Sequence, residues 1–216
     1  MAAAEGTHLE QISRAVVEGD REATISGVQA ALEANIDPHT ILQGALIPAM
    51  SDVGRLFEQG EYFVPEMLIA ARAMKSGLEL LKPLMIGADI KPRGRIALGT
   101  VQGDLHDIGK NLVGIMLEGA GFEVYDMGTD VPVDRVVEVI KTEQVDLIGL
   151  SALLTTTMPM MESTIQSISE AGIRDQVKVM IGGAPITQEY ADKIGADGFA
   201  PDASQATRLA VELISK

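Results

Sequence analysis

The sequence predicts an α/β chain in two parts. Residues 1–90 form a four-helix bundle. Residues 91–216 form a Rossmann-like (flavodoxin-like) domain on a five-stranded parallel sheet. Three observations lead there: apolar residues recur at helical spacing in the first part only, short β-rich runs alternate with helical stretches in the second, and a Gly- and Pro-containing segment, Gly87–Gly94, separates them.

In the first part Leu9, Ile12 and Val16 share one helical face, and Ile25, Val28 and Leu32 another. Leu42, Leu46, Ala49, Val53 and Phe57 mark a third helix, and Met67, Ala71, Met74, Leu78 and Leu81 a fourth. This three-then-four spacing buries one stripe of each helix. Asp37-Pro38 reads as an N-cap with a first-turn proline, Pro65 as a second such proline, and Pro83 as the residue that ends or kinks the fourth helix. Short connections between the four suit a small antiparallel bundle.

In the second part the expected strands are Arg95–Thr100, Glu123–Asp126, Leu147–Ser151, Lys178–Ile181 and Gly198–Ala200. Helical patterns lie near 109–120, 132–143, 159–171, 187–194 and 203–215. Such alternation implies parallel strands covered on both faces, and the count fits the order 2-1-3-4-5.

Composition narrows the function. Of 216 residues, 46% are hydrophobic and 22% charged, enough for a packed core. The formal net charge is −14, divided evenly at −7 in each part, so there is no basic arm or acidic tail. That argues against nucleic acid, whose binding needs cations to displace phosphate counterions, and against anionic membrane surfaces. Cysteine is absent, which removes disulfides, thiolate metal sites and a cysteine nucleophile. The first ten residues lack the basic start and apolar run of a signal peptide, and no apolar stretch has spanning length. A cytoplasmic location is therefore expected.

Ligands of open α/β sheets bind at the carboxyl ends of the strands. The loop after the first strand holds Gly103-Asp104-Leu105-His106-Asp107-Ile108-Gly109, including one of three histidines in the chain. Imidazole is a good transition-metal ligand, and a ligating histidine usually donates its second ring N–H to a carboxylate. Asp104, two residues away, has the right chemistry. One histidine cannot close a zinc site, so a metal that brings its other ligands in a macrocycle fits better. Gly109, Gly182 and Gly183 leave room for a flat or long ligand, and Ser151, Thr155, Thr156 and Thr157 offer hydroxyls. His8 and His39 read as surface helix residues, Met67 and Met74 as core, and the polar Asp107 and Asn111 as the start of a helix.

Taken in order, Asp104-x-His106-x-x-Gly109, 41 residues, Ser151-x-Leu153, 28 residues and Gly182-Gly183 resemble the cobalamin-binding signature of the methyltransferase corrinoid proteins. These serve methylamine, methanol, methoxyarene or betaine methyltransferases and are related to the cobalamin module of methionine synthase. The resemblance extends into the helical part, where Gly60-Glu61-Tyr62-Phe63-Val64-Pro65-Glu66 is similar to the cap domain of that family.

The resemblance implies a methyl carrier, a subunit that shares catalysis with partner enzymes in anaerobic one-carbon metabolism. Its cofactor would be cobalamin or a related corrinoid, cycling between methylcob(III)alamin and cob(I)alamin, with the benzimidazole displaced (base-off) and His106 as the lower cobalt ligand. Asp104 would hold His106, and Thr157, in the place of a serine, would extend the relay. The corrinoid contacts implied are Asp104, Leu105, His106, Asp107, Ile108, Gly109, Ser151, Leu153, Thr155, Thr156, Gly182, Gly183 and Ala184. Phe63 is a candidate to cover the upper face of the ring. The implied partners are a substrate-specific methyltransferase, an acceptor methyltransferase of tetrahydrofolate or coenzyme M type, and a reductive activator of Co(II). The chief competing function is a cobalamin-binding sensor, which would need a DNA-reading element that the charge disfavours. A mutase subunit or a cofactor-free receiver domain are further alternatives.

Overall fold

The computed structural model describes residues 2–85 and 92–215. The chain separates into two compact units, Met1–Lys91 and Pro92–Lys216. Most of the expected linker Gly87–Gly94 lies outside the described residues.

The first unit contains α1 (Ala2–Val17), α2 (Arg21–Glu33), α3 (Pro38–Ile41), α4 (Ile47–Glu58) and α5 (Val64–Met85). A π-helical turn, Leu42–Leu46, joins α3 to α4, so 38–58 run as one helical stretch with a widened turn inside it. That turn leaves no mark in the apolar spacing. Its cause is legible in hindsight: Pro48 has no N–H to donate back one turn, and the Ile47 N–H reaches instead to Leu42 O, five residues back. Asp37 caps α3 by accepting from the Thr40 N–H at 3.1 Å, with Pro38 in the first turn. Glu66 accepts from the Phe63 N–H at 2.9 Å and fixes the start of α5.

Two expectations need correction here. The buried stripe of α2 is Thr24, Val28 and Ala31, with Ile25 and Leu32 only half-buried. Thr24 can be buried because its hydroxyl donates to Asp20 O at 2.7 Å. Pro83 does not end α5, which continues to Met85. Elsewhere Ile12, Val16, Leu42, Leu46, Ala49, Val53, Met67, Ala71, Met74 and Leu81 are buried as the spacing predicts, while Leu9, Phe57 and Leu78 are only half-buried.

The second unit is a five-stranded, wholly parallel sheet in the order β2-β1-β3-β4-β5. Its strands are β1 (Arg95–Thr100), β2 (Glu123–Asp126), β3 (Leu147–Ser151), β4 (Lys178–Gly182) and β5 (Gly198–Ala200). Between and after them come α6 (Ile108–Gly119), α7 (Val133–Glu143), α8 (Pro159–Glu170), α9 (Gln188–Ile194) and α10 (Ala203–Ile214). A short 3₁₀ turn, Arg174–Gln176, precedes β4 and was not foreseen.

Alternate residues of the strands feed two cores. On one face Ala97, Ile148, Leu150, Val179 and Ile181 pack with Val136, Val139 and Ile140 of α7, Met161, Ile165 and Ile168 of α8, and Ala191 of α9. On the other, Ile96, Leu98, Leu147, Met180 and Ala200 pack with Leu117 of α6 and Ala206 and Ala210 of α10. Strands covered twice in this way leave only their ends free for a ligand. No helix among the described residues is long and apolar enough to cross a membrane.

Candidate cofactor-binding site

The carboxyl ends of β1 and β3 present two neighbouring loops. Past β1, Val101 pairs with Val131 in a last bridge, and the chain then turns through Gly103, φ +84°, into Asp104. Past β3, the Thr157 N–H donates to Leu154 O at 3.1 Å and closes a turn ahead of α8.

Asp104 lies between these loops with no solvent exposure, and its carboxylate gathers both. Oδ1 accepts from the His106 ring Nδ1–H at 2.7 Å and from the His106 backbone N–H at 3.1 Å. Oδ2 accepts from the backbone N–H of Leu153 at 2.8 Å and of Leu154 at 3.1 Å, and from the Thr157 hydroxyl at 2.8 Å. The Thr157 oxygen is also 2.9 Å from Leu154 O, so its one proton faces two acceptors. Burial alone would push the Asp104 carboxyl up. The hydrogen bonds from His106, Leu153 and Thr157 outweigh it and hold the group well below the usual carboxylate range. A carboxylate only accepts, so it selects the Nδ1–H tautomer of His106 and leaves Nε2 with a free lone pair.

The His106 ring is half-exposed, its side chain at 51%. Its neighbours are unusual for a protein surface. Leu105 is 72% exposed and Ile108 80%, with Leu153 at 43% and Leu154 at 41%. Among the described residues of the second unit, no other large hydrophobic side chain is exposed. Apolar side chains gathered at one place mark a surface that something covers. Among the described residues no three His, Cys, Asp or Glu side chains converge as a metal cluster. A single imidazole nitrogen within an apolar collar suits a metal held in a flat macrocycle, and the residues present fit a corrinoid.

The remaining candidates divide. Thr155, Thr156 and Ala184 are exposed and Ser151 is half-buried. Asp107 does not cap α6 with its side chain, which instead accepts from Asn111 Nδ2 at 3.0 Å. At Gly109 an added Cβ would meet no protein atom within 4 Å, so the fold itself gives no reason for glycine there. The glycine pair is different. A Cβ on Gly183, φ +133°, would stand 1.9 Å from Ala152 O, and one on Gly182 3.0 Å from Ala200 O. The fold itself therefore demands glycine at 183 and leaves little room for a side chain at 182. His8 is half-buried and His39 exposed, both outside this unit.

The strand register adds a feature that motif spacing did not reveal. Thr100, Ser151, Gly182 and Ala200 are cross-strand neighbours and form the last row of the sheet on the α6/α10 side. No member of the row is larger than threonine, and Ala203 and Ala206 of α10 are small as well. Three further residues of the site lie outside the motif: Thr100, whose hydroxyl donates to His106 O at 3.0 Å, Leu154, and Lys110. Lys110 is buried against Asp126 at 2.5 Å and Asn111 at 2.8 Å. Thr100 carries no sequence signal as a strand's last residue. Lys110 does, since a lysine in the first turn of a helix opposes the dipole and wants a local anion.

Comparison with known proteins points to the same class of cofactor. Residues 94–208 match the family model of the B12 binding domain, and residues 8–82 match a second model, also described as a B12 binding domain. The dimethylamine corrinoid protein 1 of Methanosarcina acetivorans is 47% identical over 208 residues, covering 96% of this chain and 97% of that one. Among solved structures, the methanol:cobalamin methyltransferase complex MtaBC of Methanosarcina barkeri aligns with a TM-score of 0.86 at 32% identity, over 97% of this chain and 80% of that one. A cobalamin-binding protein of Desulfitobacterium hafniense aligns with a TM-score of 0.82 at 31% identity, over 95% and 98% of the two chains. With both of its parts matched and full-length relatives at this identity, the chain belongs to the B12-binding corrinoid proteins.

Proposed function

We propose that this protein is the methyl-carrying corrinoid subunit of a methylamine methyltransferase system, with dimethylamine as the source of the methyl group. The observation that carries the reading is the apolar collar of Leu105, Ile108, Leu153 and Leu154 around one carboxylate-held histidine. The donor rests on the dimethylamine name borne by the relative at 47% identity. A corrinoid, when bound, supplies a cobalt that takes up and releases a methyl group.

The protein's own residues then have defined tasks. His106, its Nδ1 engaged by Asp104, would hold the metal of a bound corrinoid through Nε2. Asp104 fixes the tautomer and orientation of His106, and Thr157 holds Asp104 from behind; such outer partners raise the basicity of a ligating imidazole. The collar would exclude water from around His106 when a corrinoid covers it. The row Thr100, Ser151, Gly182 and Ala200, all small side chains on the α6 and α10 side of the sheet, would hold the cofactor's nucleotide tail. The partners are a dimethylamine-specific corrinoid methyltransferase, an acceptor methyltransferase of tetrahydrofolate or coenzyme M type, and a reductive activator. A regulatory role has no supporting feature, since net charge −14 opposes nucleic acid binding.

The test is a single-turnover assay with the corrinoid-loaded protein, dimethylamine and a dimethylamine methyltransferase. Formation of monomethylamine with methylation of the bound corrinoid is expected. Turnover with methanol and methanol methyltransferase, but none with the dimethylamine pair, would overturn the donor.

A further inference from the structure

We infer that Asp130, in the loop between β2 and α7, is a positioning residue for the Asp104–His106 pair. The inference rests on the reading of His106 as the metal ligand. The hydrogen bonds of Asp130 go to the backbone of Gly103 and Asp104 and not to the histidine. It acts on the backbone that carries Asp104.

Two hydrogen bonds bracket that backbone. Asp130 Oδ1 accepts from the Gly103 N–H at 2.6 Å, and the Asp130 N–H donates to Asp104 O at 3.0 Å. Residues 103 and 104 are thus gripped on both sides by a single residue of another loop. That loop is in turn laced to the end of β1. The Thr100 N–H donates to Gly128 O and the Val131 N–H to Thr100 O, both at 3.0 Å. The far end of the histidine loop is held by the Thr100 hydroxyl on His106 O. Asp130 therefore completes a frame in which the relay carboxylate has little freedom to shift.

Asp130 makes these contacts from φ +52°, in the left-handed region that L-residues other than glycine rarely occupy. Asp and Asn tolerate it better than most, but glycine would be the unstrained choice. Backbone strain held in place by surrounding contacts gathers where geometry matters for function. The ordinary explanation for an aspartate just ahead of a helix is capping. It does not apply, because the N-cap of α7 is Pro132 and no side chain caps that helix. The Asp130 carboxylate is spent on Gly103.

This residue allows a clean separation of fold from positioning. Asp130→Gly removes the carboxylate while relieving the left-handed strain, so the variant should fold. Asp130→Asn keeps an acceptor oxygen and tolerates the same backbone. The primary readout is the ring tautomer of His106 in the corrinoid-free protein, from its two imidazole ¹⁵N chemical shifts. Wild type and Asp130→Asn should show one Nδ1–H tautomer. Asp130→Gly should show a mixture of tautomers at an unchanged melting temperature. After loading with cobalamin and reduction to Co(II), the ratio of imidazole-ligated to unligated cobalt should fall about 10-fold in Asp130→Gly, the scale of lost outer-partner contacts. A wild-type tautomer in folded Asp130→Gly would overturn the inference. Absence of any axial imidazole in loaded wild type would instead defeat the ligand reading, and the tautomer result would still decide the role of Asp130.

Discussion

Asp104 makes five hydrogen bonds with its two carboxylate oxygens, and three of the donors lie about fifty residues away. Removing it affects both fold and ligand. Asp104→Ala leaves the part-buried N–H groups of Leu153 and Leu154 without their carboxylate acceptor, at a cost of about 1–3 kcal/mol each if water does not reach them. It also frees the histidine, with an expected loss of roughly 10–100-fold in metal affinity. Chemical denaturation and corrinoid titration measure the two effects. The pH dependence has a definite sign. The folded Asp104 carboxyl lies below its ordinary value of 3.8, so its contribution is fully present above that value and fades as pH falls further. The stability advantage of wild type over Asp104→Asn should thus hold near neutrality and shrink progressively below about pH 4. Gly183→Ala should be the more damaging change, since a methyl group there would overlap Ala152 O; failure to fold or a severe loss of thermal stability is expected. At this scale the histidine and aspartate were legible because ligand chemistry narrows residue types. The role of Asp130 was not, since a loop aspartate has no meaning until the loop it touches is known.

The strands β1, β2, β3 and β5 fall where β-rich runs bounded by turn residues place them, and β4 is one residue longer. Fully buried parallel strands leave a clear sequence mark, because both faces are apolar. The helical unit was less legible in detail. In α2 a threonine is buried and an isoleucine half-exposed, since an internal hydrogen bond lets the polar side chain take the core position. The π turn before α4 arises from a proline whose effect depends on which carbonyl the previous residue can reach. The end row of the sheet could be read only once the register was known, since Thr100, Ser151, Gly182 and Ala200 lie far apart in sequence. That row yields a prediction. Ser151→Leu should leave the fold intact while filling the place of the nucleotide tail. Corrinoid retention on gel filtration should fall by at least about 10-fold, at a melting temperature near that of wild type. Retained corrinoid in Ser151→Leu would move the tail elsewhere.

On the scale of the whole chain, two units match B12-binding family models and only one of them carries the Asp104–His106 pair. The sequence motif made the family visible because its three parts sit at strand ends that the fold brings together. Donor chemistry left no such mark, as the partner enzyme selects the substrate. A methyl carrier must serve two partners in turn, so its ligand must be firm yet releasable. The ligand proposed here, one imidazole backed by a buried carboxylate, would meet that need. The decisive measurement is the electron paramagnetic resonance spectrum of protein labelled with ¹⁵N-histidine, loaded with unlabelled cobalamin and reduced to Co(II). Coordination by His106 gives an axial nitrogen splitting of two lines that becomes three in unlabelled protein and vanishes in His106→Ala. A three-line splitting that ignores the label would show the cofactor's own base still on the metal and would contradict His106 as the lower ligand.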